Sequence, residues 1–276
     1  YEEAVGVYTK VIELSPKTPE AFFNRGFSYA NLGKYQDALK DYGEAVSLKP
    51  DYLEAYANRG YAYEMLGELN RALEDYTKAI ELDPKRAEGY YARGVAHAKG
   101  GNHRKAIQDY DEAVSLDRGY AEAYSNRGQS YAALGDHARA IQDCSAAIRL
   151  EPEKDDYSFN RGVVYASLND FENAVRDYSK AVSLNPQQIK AYSNRGMAYA
   201  ALKNYPAAME DLDKAVSLDP KDGLAYMARG NVQETMGRHA EAIRDYDEVI
   251  GMDPRNADAF YNRGNAYRNA GNRTEA

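Results

Sequence analysis

Tryptophan is absent from the 276 residues, and cysteine occurs once, at Cys144. A single thiol cannot close an intramolecular disulfide, so a reducing compartment (cytoplasm, nucleus or organelle interior) is the expected location. Long apolar runs are missing as well. Stretches such as Met197-Ala198-Tyr199-Ala200-Ala201-Leu202 fall far short of the roughly 20 residues that cross a bilayer, so no membrane contact is expected. Basic residues are in deficit, 35 Lys and Arg against 43 Asp and Glu, for a formal charge of −8. Non-specific nucleic-acid binding works by neutralising phosphates with Lys and Arg, so nucleic acid is not expected as a partner and basic partners are. Neither Gly-x4-Gly-Lys-Ser/Thr, which cradles phosphates, nor the zinc-ligating His-Glu-x2-His occurs. Tyr1 to Val5 already read as amphipathic helix, so any targeting segment is expected to precede them. One short glycosylation sequon stands at Asn272-Arg273-Thr274.

What is present is a repeat. Arg-Gly recurs at Arg25, Arg59, Arg93, Arg127, Arg161, Arg195, Arg229 and Arg263, always 34 residues apart, with no insertion. An alanine keeps the same period, from Ala4 through Ala38, Ala72 and onward to Ala276. In residues 53–86, Tyr56, Gly60 and Tyr63 share one helical stripe, and Leu69, Ala72, Leu73, Tyr76 and Ile80 share a second. Gly67 between them supplies a left-handed helix stop, and Asp83-Pro84 closes the second helix. Each unit is therefore predicted to be a helical hairpin. Gly60 and Ala72 let the two helices approach closely, while Tyr56, Tyr63 and Tyr76 are expected to fill gaps between neighbouring pairs. One hairpin cannot bury its own stripes, so stacking makes an elongated array.

The glycine, the alanine and most of the closing prolines resemble the tetratricopeptide pattern, with Phe22, Tyr56, Tyr90, Tyr124, Tyr192, Tyr226 and Phe260 in place of its tryptophan. The resemblance covers the whole chain and implies an all-α fold, a right-handed superhelical α-solenoid of 34-residue antiparallel helix pairs. It divides the sequence into the C-terminal helix of a preceding unit (1–18), seven complete units (19–52, 53–86, 87–120, 121–154, 155–188, 189–222 and 223–256) and part of an eighth (257–276). Unit 87–120 departs most, with His97, Gly100-Gly101 and Arg118-Gly119, and its five glycines make it the expected soft place. In unit 155–188, Ser158 takes the aromatic position between Tyr157 and Phe159, which predicts local repacking.

Residues that could carry chemistry are sparse. His103, His137 and His239 share one repeat position, too far apart between repeats to share an ion, so no metal and no cofactor is expected. Cys144 stands where Tyr42, Tyr76, Tyr110 and Tyr178 stand in other units, and a packing role is expected of it rather than nucleophilic attack. No enzymatic activity is expected. The first seven arginines of the Arg-Gly pairs each precede an Asp by sixteen residues, as Arg59 does Asp75, predicting ion pairs that fix the angle within a hairpin.

Two residues before each glycine stand Asn24, Asn58, Ala92, Asn126, Asn160, Asn194, Ala228 and Asn262. This row is similar to the asparagine ladder of the repeat arrays in protein O-GlcNAc transferases. An amide donates and accepts, so such a row can hold a peptide backbone without reading its sequence. The tetratricopeptide register puts Phe23, Phe27, Tyr61, Tyr91, Phe159 and Tyr261 on the same face. An acidic row, Glu20, Glu54, Glu88, Glu122 and Asp156, implies a basic ligand, although acids in a first helical turn also suit the helix dipole. Chaperone-binding members of the family clamp a C-terminal carboxylate with lysines and arginine; here only Lys190 matches and Asn194 replaces the arginine, which disfavours that ligand. Three functions remain open. The first is a scaffold holding an extended basic peptide or partner protein in the concave groove. The second is the substrate-recognition arm of a larger enzyme such as a glycosyltransferase, and the third an assembly subunit that uses its convex face and ends.

Overall fold

The computed structural model describes residues 1–271; the sequon at Asn272 and the last alanine of the series, Ala276, lie outside the described residues. Sixteen helices make up the described chain, and no strand occurs among the described residues. They are α1 (Glu2–Leu14), α2 (Pro19–Asn31), α3 (Tyr35–Leu48), α4 (Leu53–Met65), α5 (Leu69–Leu82), α6 (Ala87–Lys99), α7 (His103–Leu116), α8 (Ala121–Ala133), α9 (His137–Leu150), α10 (Asp155–Ser167), α11 (Phe171–Leu184), α12 (Ile189–Ala201), α13 (Tyr205–Leu218), α14 (Gly223–Thr235), α15 (His239–Met252) and α16 (Ala257–Asn269). The chain forms two compact units, Tyr1–Arg139 and Ala140–Ala276.

Turn chemistry sets the helix ends. Gly33, Gly67, Gly101, Gly135 and Gly237 stop first helices at positive φ, between 73° and 80°. Asn169 (φ 58°) and Lys203 (φ 60°) adopt the same conformation with a side chain attached, which costs them more than glycine. After the second helices, Asp83, Asp117, Asn185, Asp219 and Asp253 each accept a hydrogen bond from the backbone N–H two residues on, making the Asx turns that lead into the next pair. His103, His137 and His239 are the first residues of α7, α9 and α15.

Both units are α-solenoids of helix hairpins. In the first, α2 packs on α3, α4 on α5 and α6 on α7, each second helix then packs on the next first helix, and successive first helices α2, α4, α6 and α8 also touch. The second unit repeats this arrangement from α10 to α16. The periodic alanines Ala38, Ala72, Ala106, Ala174, Ala208 and Ala242 are fully buried. Tyr76 packs in two directions: it clusters with Ala96 of the next first helix, between neighbouring pairs, and its ring also lies over Gly60 of its own hairpin, where an added Cβ would meet the ring at 2.9 Å and the Ala72 carbonyl at 3.3 Å. Tyr42, Tyr110, Tyr178 and Tyr246 cover Gly26, Gly94, Gly162 and Gly230 in the same way, and Leu212 covers Gly196. The glycine thus makes room for a ring as well as for a backbone. In the repacked unit, Tyr157 turns into the core at 3% exposure, Ser158 is buried beside it, and Phe159 lies 5.7 Å from Tyr178, ring to ring.

The sixteen-residue ion pairs are present. Arg59 donates through Nε and Nη2 to both carboxylate oxygens of Asp75 at 2.8 and 2.7 Å. Arg25–Asp41 and Arg93–Asp109 repeat the fork in the first unit, and Arg161–Asp177, Arg195–Asp211 and Arg229–Asp245 in the second. The bond to the buried carboxylate holds these guanidinium pKa values above their usual range. Arg59 also lies over Tyr56, three residues before it, at 5.3 Å, and Arg195 over Tyr192 at 5.6 Å, adding cation–π contacts.

Candidate functional site

The first helices carry the residues that the sequence singles out, and in the first unit they converge on a cavity of about 300 Å³. Helix α4 contributes Leu53, Ala57, Asn58 and Tyr61, α5 contributes Tyr76 and Ala79, and α6 contributes Glu88, Gly89, Tyr91 and Ala92. Asp83 and Arg86 from the connecting turn and Tyr120 from the turn before α8 complete the wall. Four sequence candidates, Asn58, Tyr61, Glu88 and Tyr91, are brought together here. Tyr61 is 47% exposed and offers its ring to solvent, whereas Tyr91 is half-buried, its ring 4.8 Å from Tyr120 and 6.0 Å from Tyr110. Burial, and then the carboxylate of Glu122, raises the Tyr91 phenol pKa; burial also raises that of Tyr61. Both phenols remain neutral hydrogen-bonding groups near neutral pH.

The asparagines are already engaged. Asn58 donates to the Glu54 carbonyl at 2.8 Å, Asn126 donates to the Tyr91 hydroxyl at 3.0 Å and Asn262 donates to Asn231 at 3.1 Å. Asn194 is hydrogen-bonded to Tyr178, whose phenol pKa burial nevertheless pushes up to about 12. Asn24 and Asn160 are half-buried. One internal bond per amide leaves a second N–H and carbonyl lone pairs to offer. The aromatic candidates divide. Phe27 is 42% exposed and stacks 6.4 Å from Phe23, while Phe23 itself leans on Tyr52 and Tyr42 and Phe159 on Tyr178, so both of the latter serve packing.

The acidic row is partly balanced. Arg86 approaches Glu54 at 3.3 Å and Glu88 at 3.6 Å, so its charge is shared between a near neighbour in sequence and an acid of the preceding first helix. Sequence reasoning missed a second polar feature. Glu64, its side chain 5% exposed, accepts from the Tyr76 hydroxyl at 2.9 Å and pairs with Lys99 of the next first helix at 2.6 Å. In the second unit Glu234 likewise accepts from Asn269 at 2.6 Å and meets His239 at 2.8 Å. The signal was available, because both glutamates stand where Ala30, Ala98, Ala132, Ala166 and Ala200 stand elsewhere.

Cys144 is buried, and desolvation pushes its thiol pKa up to about 12, which removes the thiolate that nucleophilic or metal chemistry needs. Among the described residues no group of three or more His, Cys, Asp or Glu is placed to hold a metal ion, and no helix is long and apolar enough to cross a membrane.

Tetratricopeptide-repeat family models match residues 19–52, 53–86 and 121–154, 163–233 and 75–108, and a TPR-repeat model matches 1–33, 98–135 and 235–271. No curated protein matches the sequence. Among solved structures, the Cut9–Hcn1 hetero-tetramer of the APC/C is similar with a TM-score of 0.72 at 21% identity, over 95% of this chain and 52% of that one; the present chain spans about half the length of that relative. A tetratricopeptide repeat protein from Parabacteroides merdae ATCC 43184 is similar with a TM-score of 0.71 at 18% identity, over 90% of this chain and 98% of that one. YrrB, described as a TPR protein with an unusual peptide-binding site, gives a TM-score of 0.54 at 24% identity, over 68% of this chain and 97% of that one. The 34-residue period, the hairpins with a side chain packed over the glycine, and matches along nearly the whole sequence agree: the chain belongs to the tetratricopeptide-repeat family.

Proposed function

We propose that this chain is a protein-interaction scaffold that holds an extended, basic peptide segment of a partner along its first helices, with no chemical step of its own. The observation that carries the reading is the convergence of Asn58, Tyr61, Glu88 and Tyr91 on one open cavity. Asn24, Asn58 and Asn126 in the first unit, and Asn160, Asn194 and Asn262 in the second, supply backbone hydrogen bonds within each unit. At a net ~0.5–1.5 kcal/mol for each hydrogen bond, a few of them fall short of the ~8 kcal/mol of micromolar binding, so contacts from Tyr61, Phe27 and Glu88 supply the rest. Glu54, Glu88 and Glu122 against the single Arg86 leave a negative balance that favours Lys and Arg in the ligand. Peptide binding by a similar array, YrrB, supports the class of ligand.

The test is a screen against immobilised peptides, comparing the chain with an Asn126→Ala, Asn160→Ala, Asn194→Ala triple variant whose helicity and melting are checked. The reading expects extended basic peptides to bind and the variant to lose affinity by about tenfold or more, one to two hydrogen bonds' worth. Unchanged binding by the variant rejects the asparagine row, and absence of binding to any peptide rejects the groove.

A further inference from the structure

One position in the first helices alternates in size. Two residues before each Arg-Gly arginine stand Phe23, Ala57, Tyr91, Ser125, Phe159, Ser193, Met227 and Tyr261, so from Phe23 to Met227 a large side chain alternates with a small one. In the first unit the structure shows what the large ones do. The Phe23 ring sits 5.9 Å from Tyr42 and 5.0 Å from Tyr52, and the Tyr91 ring 6.0 Å from Tyr110 and 4.8 Å from Tyr120. In each case a ring fills the corner between the second-helix tyrosine of its hairpin and the residue just before the next first helix. Between these two repeats Ala57 has no ring. The corner it leaves, with Tyr76 in the place of Tyr42 and Arg86 in the place of Tyr52, is part of the cavity of about 300 Å³ between α4 and α6.

We propose that the cavity beside Ala57 is a side-chain pocket for an aromatic residue of the bound segment, flanked in the ligand by a lysine or arginine. The protein itself displays the occupant's shape twice, as Phe23 and Tyr91 in the flanking repeats. An aromatic ring entering the corner would stand against Tyr76, with Tyr61, Tyr91 and Tyr120 as further walls and the Arg86 guanidinium placed for a cation–π contact. Charge selects the neighbouring residue: Asp83 and Glu88 line the pocket, and the one cation there, Arg86, is shared between Glu54 and Glu88. Spacing of the repeat then reads an aromatic anchor at one place along a segment that the asparagines hold without regard to sequence.

The inference rests on the groove reading above, so the experiment separates the two. Fluorescence anisotropy is measured with a labelled synthetic peptide of Gly, Ser and Lys carrying one central Phe, and with its counterpart carrying Ala there. The wild-type chain should bind the Phe peptide at least about tenfold more tightly. Ala57→Phe, which installs the ring that the flanking repeats already carry, should bind both peptides alike at the affinity of the Ala peptide. Ala57→Met, which introduces the side chain that Met227 has at this repeat position, serves the same purpose should the bulkier variant lose helicity. Equal binding of both peptides to wild type, or a preference that persists in the filled variants, overturns the pocket and leaves the groove. Binding of neither peptide overturns both.

Discussion

Replacing Asp75 by alanine would strand the Arg59 guanidinium at the junction of α4 and α5. The two groups meet through two charge-assisted bonds at 2.7 and 2.8 Å, with side-chain exposures of 20% for Arg59 and 7% for Asp75. Removing one partner of a buried pair costs roughly 3–5 kcal/mol, because the survivor is left desolvated without compensation. The residual exposure of Arg59 lets water screen part of that, which places Asp75→Ala near the low end, about 3 kcal/mol. Arg59→Ala should cost a similar amount, since Asp75 is the more deeply buried group. An Arg59→Met, Asp75→Leu double replacement removes both charges and fills the space, and should cost about 1 kcal/mol or less. Urea unfolding followed by circular dichroism, with the slope checked for loss of cooperativity, reads all three. If the two single costs simply add in the Arg59→Ala, Asp75→Ala double variant, to within about 0.5 kcal/mol, the pair does not fix the angle between the two helices.

Gly60→Ala should destabilise by about 1–2 kcal/mol, the overpacking against Tyr76 and the Ala72 carbonyl outweighing the gain in helix propensity. Gly43→Ala, in mid-helix with nothing within 4 Å of the new Cβ, should stabilise by about 0.5–1 kcal/mol; the same urea titration checks both signs. Lys203→Gly should raise stability by a few tenths to about 1 kcal/mol by relieving a left-handed φ of 60°, read as a shift in melting temperature. Stability should also fall on the alkaline side. Burial raises the Tyr178 phenol pKa to about 12 and raises those of Tyr42, Tyr76, Tyr110 and Tyr246 as well, while the unfolded chain ionises its tyrosines near 10. Above that pH the unfolded state binds fewer protons than the folded one, so the urea midpoint should decline from about pH 10 upward and stay flat from this source below about pH 9. A flat profile to about pH 11 would contradict the burial of these rings.

Much of this was legible because the repeat averages out local ambiguity. An Arg-Gly pair seen eight times at a constant spacing of 34 marks Gly60, Ala72 and Arg59 as structural, and the Arg59–Asp75 pair followed from sixteen residues of separation in a folded-back hairpin. One contact of Tyr76 was not legible. Its period places it on the buried stripe of α5, where it meets Ala96 of the next hairpin as expected, but that its ring also covers Gly60 depends on the space above that glycine, which only the assembled backbone defines. The candidate site was legible as a face and not as a geometry. Glu54, Glu88 and Arg86 lie in one row or turn of the sequence, yet their sharing of a charge appears only once α4 and α6 are stacked. Ala57 and Glu64 escape a reading by the 34-residue period, Ala57 because it belongs to an alternation over two repeats that makes it small between Phe23 and Tyr91, and Glu64 because it is charged where neighbouring repeats have alanine. Stacking turns such exceptions into a cavity and a buried carboxylate.

The central claim, that a partner segment lies along the first helices, is tested most directly by hydrogen exchange of the chain with and without the basic Phe-bearing peptide. The account predicts added protection in α4, α6 and α8, centred on Asn58, Tyr61 and Tyr91, with α3, α5 and α7 little changed. Protection confined to the second helices, or spread evenly over both layers, would contradict it.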